Sequence, residues 1–102
     1  MNKLKSIIET VISKEIDPDS GVFSDGYILQ PFALRTELKG DGFPEELATQ
    51  YQLDFFYKNR GETVSKAREL IIELGDYPMN DLSFTWEETA RLWRGTILIE
   101  EI

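Results

Sequence analysis

A 102-residue chain with no histidine and no cysteine excludes an imidazole base, a thiolate nucleophile, a disulfide framework and a Cys/His metal centre. At 41% hydrophobic and 12% aromatic it has enough apolar side chains for the core of a single domain, residues 1–102. Its net charge of −8 is spread as +1 over residues 1–16, −5 over 17–50, 0 over 51–75 and −4 over 76–102, so no basic segment exists to displace counterions from phosphates, and nucleic-acid and anionic-membrane binding are disfavoured.

At the start of the chain, Leu4, Ile7, Ile8, Val11 and Ile12 repeat with the period of an amphipathic helix. Asn2 is a candidate N-cap and Asp17-Pro18 a stop, which predicts a helix over residues 3–16. Charges interrupt the apolar residues there and no small-residue cleavage site follows, so the segment does not read as a signal peptide and the expected compartment is the cytoplasm. The polar stretch 17–26 reads as a loop.

From Tyr27 to Leu38 the alternation of Phe32, Leu34, Thr36 and Leu38 with Ala33, Arg35 and Glu37 is that of a half-buried strand. Pro31 cannot donate to a ladder and is expected to mark an edge, a bulge or a break between two short strands. Residues 39–47, "KGDGFPEEL", read as a turn-rich connection. In "YQLDFFY", Tyr51, Leu53, Phe55 and Tyr57 share one face, and Gln52, Asp54 and Phe56 the other, leaving Phe56 as the one aromatic on a polar side.

Asn59 followed by Glu62 has the form of a capping box, and Val64, Ala67, Leu70, Ile71 and Leu74 supply an apolar stripe that Gly75 ends. Two final strands are expected. "LSFTWEE" places Leu82, Phe84 and Trp86 together, and "RLWRGTILIEEI" places Trp93, Ile97 and Ile99 together, with Glu88 to Ala90 in the turn. The expected fold class is α+β: a two-layer sandwich with a mostly antiparallel five-stranded sheet and both helices on one face, in the order α-β-β-β-α-β-β.

Motifs for chemistry are sparse. The acid pairs Glu45-Glu46, Glu87-Glu88 and Glu100-Glu101 are adjacent in sequence, and adjacent strand residues point to opposite faces. Asp17, Asp19 and Asp25 lack the spacing and closing glutamate of a calcium loop. The serines have no histidine to activate them. No catalytic, cofactor-binding or metal residue is expected, and the chain reads as a non-enzyme. The informative side chains are Phe56, Trp86, Arg91, Trp93 and Arg94. A sheet with helices on one face leaves its other face polar or in an interface, and Trp and Arg are enriched at protein contacts. These five are therefore the candidate subunit-interface residues.

The segments "DGYILQPFALRTEL", "YQLDFFYKNRGETVSKARELIIEL" and "NDLSFTWEETARLWRGTILIEEI", behind an N-terminal amphipathic helix, resemble the small minor structural proteins of long-tailed (siphovirus-type) phages and prophages of Gram-positive hosts, of the tail-terminator or head–tail joining type. The resemblance implies a homo-oligomeric ring, a hexamer in the assembled particle, that docks to tail-tube and connector proteins. It places the protein in the host cytoplasm during assembly and then in the virion tail or neck. It also implies a channel for DNA, whose passage an acidic lumen would ease without direct binding. The alternative is an acidic monomeric inhibitor that mimics nucleic acid, which needs carboxylates spaced along one face.

Overall fold

The computed structural model describes residues 2–21, 24–39 and 43–101, with side chains at 3–19, 21, 24–31 and 49–101. The elements are α1 (Asn2–Val11), a single 3₁₀ turn (Pro18–Ser20), β1 (Gly26–Lys39), β2 (Phe43–Tyr57), α2 (Arg60–Glu73), β3 (Met79–Glu87) and β4 (Leu92–Glu101). They build one four-stranded antiparallel sheet in the order β1-β2-β4-β3.

The expected five-stranded two-layer sandwich is thus corrected to an α+β fold with four strands and two helices. The fifth strand came from dividing the chain at Pro31. The ladder instead passes Pro31, which sits opposite Tyr51, and resumes at Ala33 opposite Gln50 with a register shift between them. β1 is an edge strand, so the N–H that proline lacks is not required, and the bulge absorbs the extra residue. On the partner strand, β2 starts at Phe43, so much of the expected connection is strand.

The core lies between the helices and one sheet face. Leu4, Ile8 and Ile12 from the α1 side and Ala67, Leu70 and Leu74 from the α2 side meet Tyr27, Tyr51, Leu53, Phe55, Tyr57, Ile97 and Ile99. Asn59 starts α2 as expected: its Oδ1 accepts from Glu62 N–H at 2.7 Å. The buried face of α2 is Thr63, Ala67 and Leu70, with Leu74 just beyond, while Val64 is half-buried and Ile71 is 40% exposed. The stripe is therefore rotated toward Thr63, whose hydroxyl bonds back to Asn59 O at 2.9 Å.

α1 ends at Val11, short of Asp17-Pro18. The chain then runs extended beside β1: Tyr27 N–H donates to Lys14 O at 3.0 Å and Ile16 N–H to Tyr27 O at 2.8 Å. Gly26 permits this approach, because a Cβ there would overlap Ile16 and Lys14 O. Leaving the helix carries Ile16 to the helix-free sheet face, where it packs with Ile28, Phe56 and Leu92 in a second apolar cluster. Lys66 Nζ donates to Val11 O at 3.2 Å, putting a cation at the C-terminal end of α1.

β2 pairs with β4 only from Thr49 to Tyr57. Residues 35–39 of β1 and 43–48 of β2 pair with each other alone, so a two-stranded ribbon roughly 20 Å long leaves the four-stranded sheet. The chain measures 51 × 27 × 22 Å.

Candidate protein-docking surface

The five interface candidates fall in three places. Phe56 is 5% exposed, covered by Ile16, Ile28 and Leu92 on the helix-free face. Arg94 stands directly opposite Phe56 in the β2–β4 ladder, so both lie on that face. Its Nε donates to Asp54 Oδ1 at 2.9 Å and its Nη1 to Glu87 Oε1 at 3.2 Å. Thr96 Oγ1 donates to the same Asp54 oxygen at 2.7 Å, and Gln52 Nε2 to Asp54 Oδ2 at 3.0 Å. Asp54 is 5% exposed and accepts all three of these bonds, so a buried carboxylate is paired with a partly exposed guanidinium. Burial by itself lowers the pKa of Arg94, but the hydrogen bonds and charges of Asp54 and Glu87 together outweigh it and raise the pKa.

Trp86 and Trp93 sit on the helix side, since Trp93 is opposite Tyr57 and Trp86 is opposite Trp93. Their rings pack at 5.7 Å and 59°. Arg60, at the first turn of α2, places its guanidinium 5.9 Å from the Trp93 ring centre, and Trp86 Nε1 donates to Glu88 at 2.8 Å. Trp86 remains 41% exposed. Arg91 takes φ 56° in the β3–β4 turn, where its N–H donates to Glu87 O at 2.8 Å, and it is exposed.

Farther along the same edge is a groove of about 300 Å³ between α2 and β3, lined by Ile71, Met79, Asn80, Asp81, Leu82 and Ile97. Ile71 and Leu82 are 40% and 43% exposed. α2 lies over β2 and β4 and leaves edge strand β3 largely open. β3 carries a register shift between Asn80 and Ser83, with Asp81 at φ 56°. Past this irregularity Leu82 lines the groove with Ile71 and Ile97, on the side of the sheet that Phe84 and Trp86 also take.

Sequence reading missed Arg60, Ile71, Leu82 and Asp54 as notable positions. Arg60 was hidden inside the helix cap, Ile71 inside the apolar stripe and Leu82 inside a strand pattern. Asp54 did carry a signal, being one carboxylate between apolar neighbours Leu53 and Phe55. Among the described residues there is no group of three or more His, Cys, Asp or Glu that could hold a metal ion, and no helix long and apolar enough to cross a membrane. No family model, curated protein or solved structure matches the chain.

Proposed function

We propose that the protein is a structural, non-enzymatic component of a phage or prophage particle, of the tail-terminator or head–tail joining type, which acts by ring-forming self-association and docking to tail-tube or connector proteins. The observation that carries this reading is the ribbon of residues 35–39 and 43–48. An isolated two-stranded hairpin is at best marginally stable in water, so a ribbon that leaves its own sheet is suited to lie against a neighbouring chain. The exposed apolar edge at Trp86, Leu82 and Ile71 adds contact area of the kind that marks interaction surfaces. Head-to-tail contact between such unlike surfaces closes into a ring when the rotation permits. The place of action that goes with this reading is the host cytoplasm during assembly and the tail or neck of the virion.

Light scattering across a concentration series, with electron microscopy of the largest species, tests the reading. Rings of uniform subunit number, six on the resemblance, support it. A monomer up to the solubility limit, from a gene whose neighbours encode no portal, major tail or tape-measure protein, overturns it.

A further inference from the structure

We infer that β3 of one copy pairs antiparallel with β3 of a second copy about a two-fold axis at Thr85, joining two four-stranded sheets into one of eight strands. The contact goes beyond the proposed function and does not rest on it. The two edges of the sheet differ. Beside the start of β1 runs the chain's own segment 14–16, with Tyr27 N–H donating to Lys14 O and Ile16 N–H to Tyr27 O. Among the described residues no strand pairs with the outer side of β3, and its side chains at 80–83, 85 and 86 are exposed.

The register shift between Asn80 and Ser83 confines the regular part of this edge to Ser83–Glu87, which pairs without interruption to Leu92–Thr96 of β4. Lysine and proline, which commonly blunt a free edge, are absent from that segment. Its one charge, Glu87, stands at the end and is already bonded to Arg94.

The sequence of the edge selects its own copy. An axis at Thr85 uses the whole regular segment: Ser83 lies opposite Glu87, Phe84 opposite Trp86, and Thr85 opposite the second copy's Thr85. Aromatic pairs and Thr–Thr pairs are stabilising cross-strand partners. Beyond the segment Leu82 falls opposite Glu88 and Asp81 opposite Thr89, so no like charges oppose each other. An axis at Phe84 would set Asp81 against Glu87, and one at Trp86 would set Phe84 against Glu88. An axis between residues would turn the second sheet over and set Phe84 and Trp86 against polar side chains. With the axis at Thr85, Leu82, Phe84 and Trp86 of both copies form one apolar row on the helix side, Leu82 lying diagonal to Trp86. The pairing thereby covers two of the chain's exposed large apolar side chains, Leu82 and Trp86. A two-fold contact closes at two chains, so it adds to head-to-tail contacts rather than replacing them.

A residue on the axis faces itself, and single substitutions test the pairing. Thr85→Glu and Thr85→Lys each oppose like charges and are expected to weaken self-association about tenfold or more. Mixed in equal amounts, the two variants are expected to recover it. Because the chain has no cysteine, Thr85→Cys reports the contact without background. Directly opposed strand residues lie within the Cα separation of a disulfide, so mild oxidation should give a covalent dimer. Ser65→Cys, exposed on α2, should not. Circular dichroism checks that the variants stay folded. If oligomers form but Thr85→Cys does not cross-link and neither charge changes association, the β3 contact is wrong while the ring reading stands. If the covalent dimer forms and nothing larger assembles, the β3 contact stands and the ring falls. A monomer up to the solubility limit overturns the β3 contact.

Discussion

Arg94 Nε donates to Asp54 Oδ1 at 2.9 Å, an ion pair that joins β4 to β2 on the sheet face that carries no helix. The two partners are not equivalent. Asp54 is 5% exposed, whereas the Arg94 side chain is 34% exposed and has Glu87 as a second acceptor. Removing the arginine strands a buried carboxylate with only Gln52 and Thr96; removing the acid leaves an arginine that still reaches Glu87 and water. Arg94→Met is therefore expected to destabilise the fold by about 3 kcal/mol, near the low end for a broken buried pair. Asp54→Asn should cost less, and the double variant Asp54→Leu with Arg94→Met less than Arg94→Met alone. Urea denaturation of the four chains checks the order. Equal costs for the two single variants would show that Asp54 is solvated in the absence of its partner.

Gly95 is fixed by a neighbour rather than by its own backbone. It lies between Phe55 on β2 and Phe84 on β3, and a Cβ there would overlap the Phe55 ring, which is fully buried. Gly95→Ala should destabilise by about 1–3 kcal/mol, as overpacked cores do. Phe55→Leu costs stability by itself but should make Gly95→Ala cheaper in the double variant. Thermal melts of the cycle test this, and strict additivity would place the strain elsewhere.

Phe56 invites a different mutation from the one its sequence context suggests. A lone aromatic on a polar strand face reads as an exposed anchor, for which Phe56→Asp should block assembly and spare the monomer. Packed with Ile16, Ile28 and Leu92, Phe56 instead holds the start of β1 and the α1–β1 connection against the sheet. Phe56→Ala is expected to cost about 3–5 kcal/mol, and Phe56→Asp to unfold the chain. Near-ultraviolet circular dichroism of purified Phe56→Asp decides between them: a native aromatic signal would return Phe56 to the surface.

These cases show which parts of the fold a linear reading reaches. α2 was legible because its cap and its period are local: Asn59 and Glu62 declare the start, and Ala67, Leu70 and Leu74 repeat on one side. The core face of β2 was legible because Tyr51, Leu53, Phe55 and Tyr57 alternate without interruption. What sequence could not reach is set by partners distant along the chain. Whether Pro31 ends a strand depends on β1 being an edge. Whether Phe56 is exposed depends on Ile16, forty residues earlier, leaving its helix. Whether Trp86 and Arg94 share a patch depends on register, which places them on opposite faces of the sheet.

The tyrosines give the fold an alkaline limit. Burial is the leading cause at all three affected positions. Tyr57 is pushed up to about 12, with the charges of Glu62, Asp25 and Glu69 adding to the effect of burial. Tyr51 is raised by burial and then by Glu101, and Tyr27 by burial and then by Glu9 and Glu15. In each case the folded state holds the proton more tightly than the unfolded chain, whose phenols ionise near their ordinary value of about 10. The contribution to stability is therefore complete below that value and is lost as pH rises toward and through the folded values. Urea midpoints should be flat up to pH about 10 and fall steeply by about 12, the window set for Tyr57 by its ordinary and shifted values. Tyr57→Phe should make the fall shallower, because one of the three phenols that drive it is gone. Phenolate absorbance followed alongside should rise with unfolding rather than before it. Early ionisation of these tyrosines in a chain that remains folded would show that their hydroxyls are open to water.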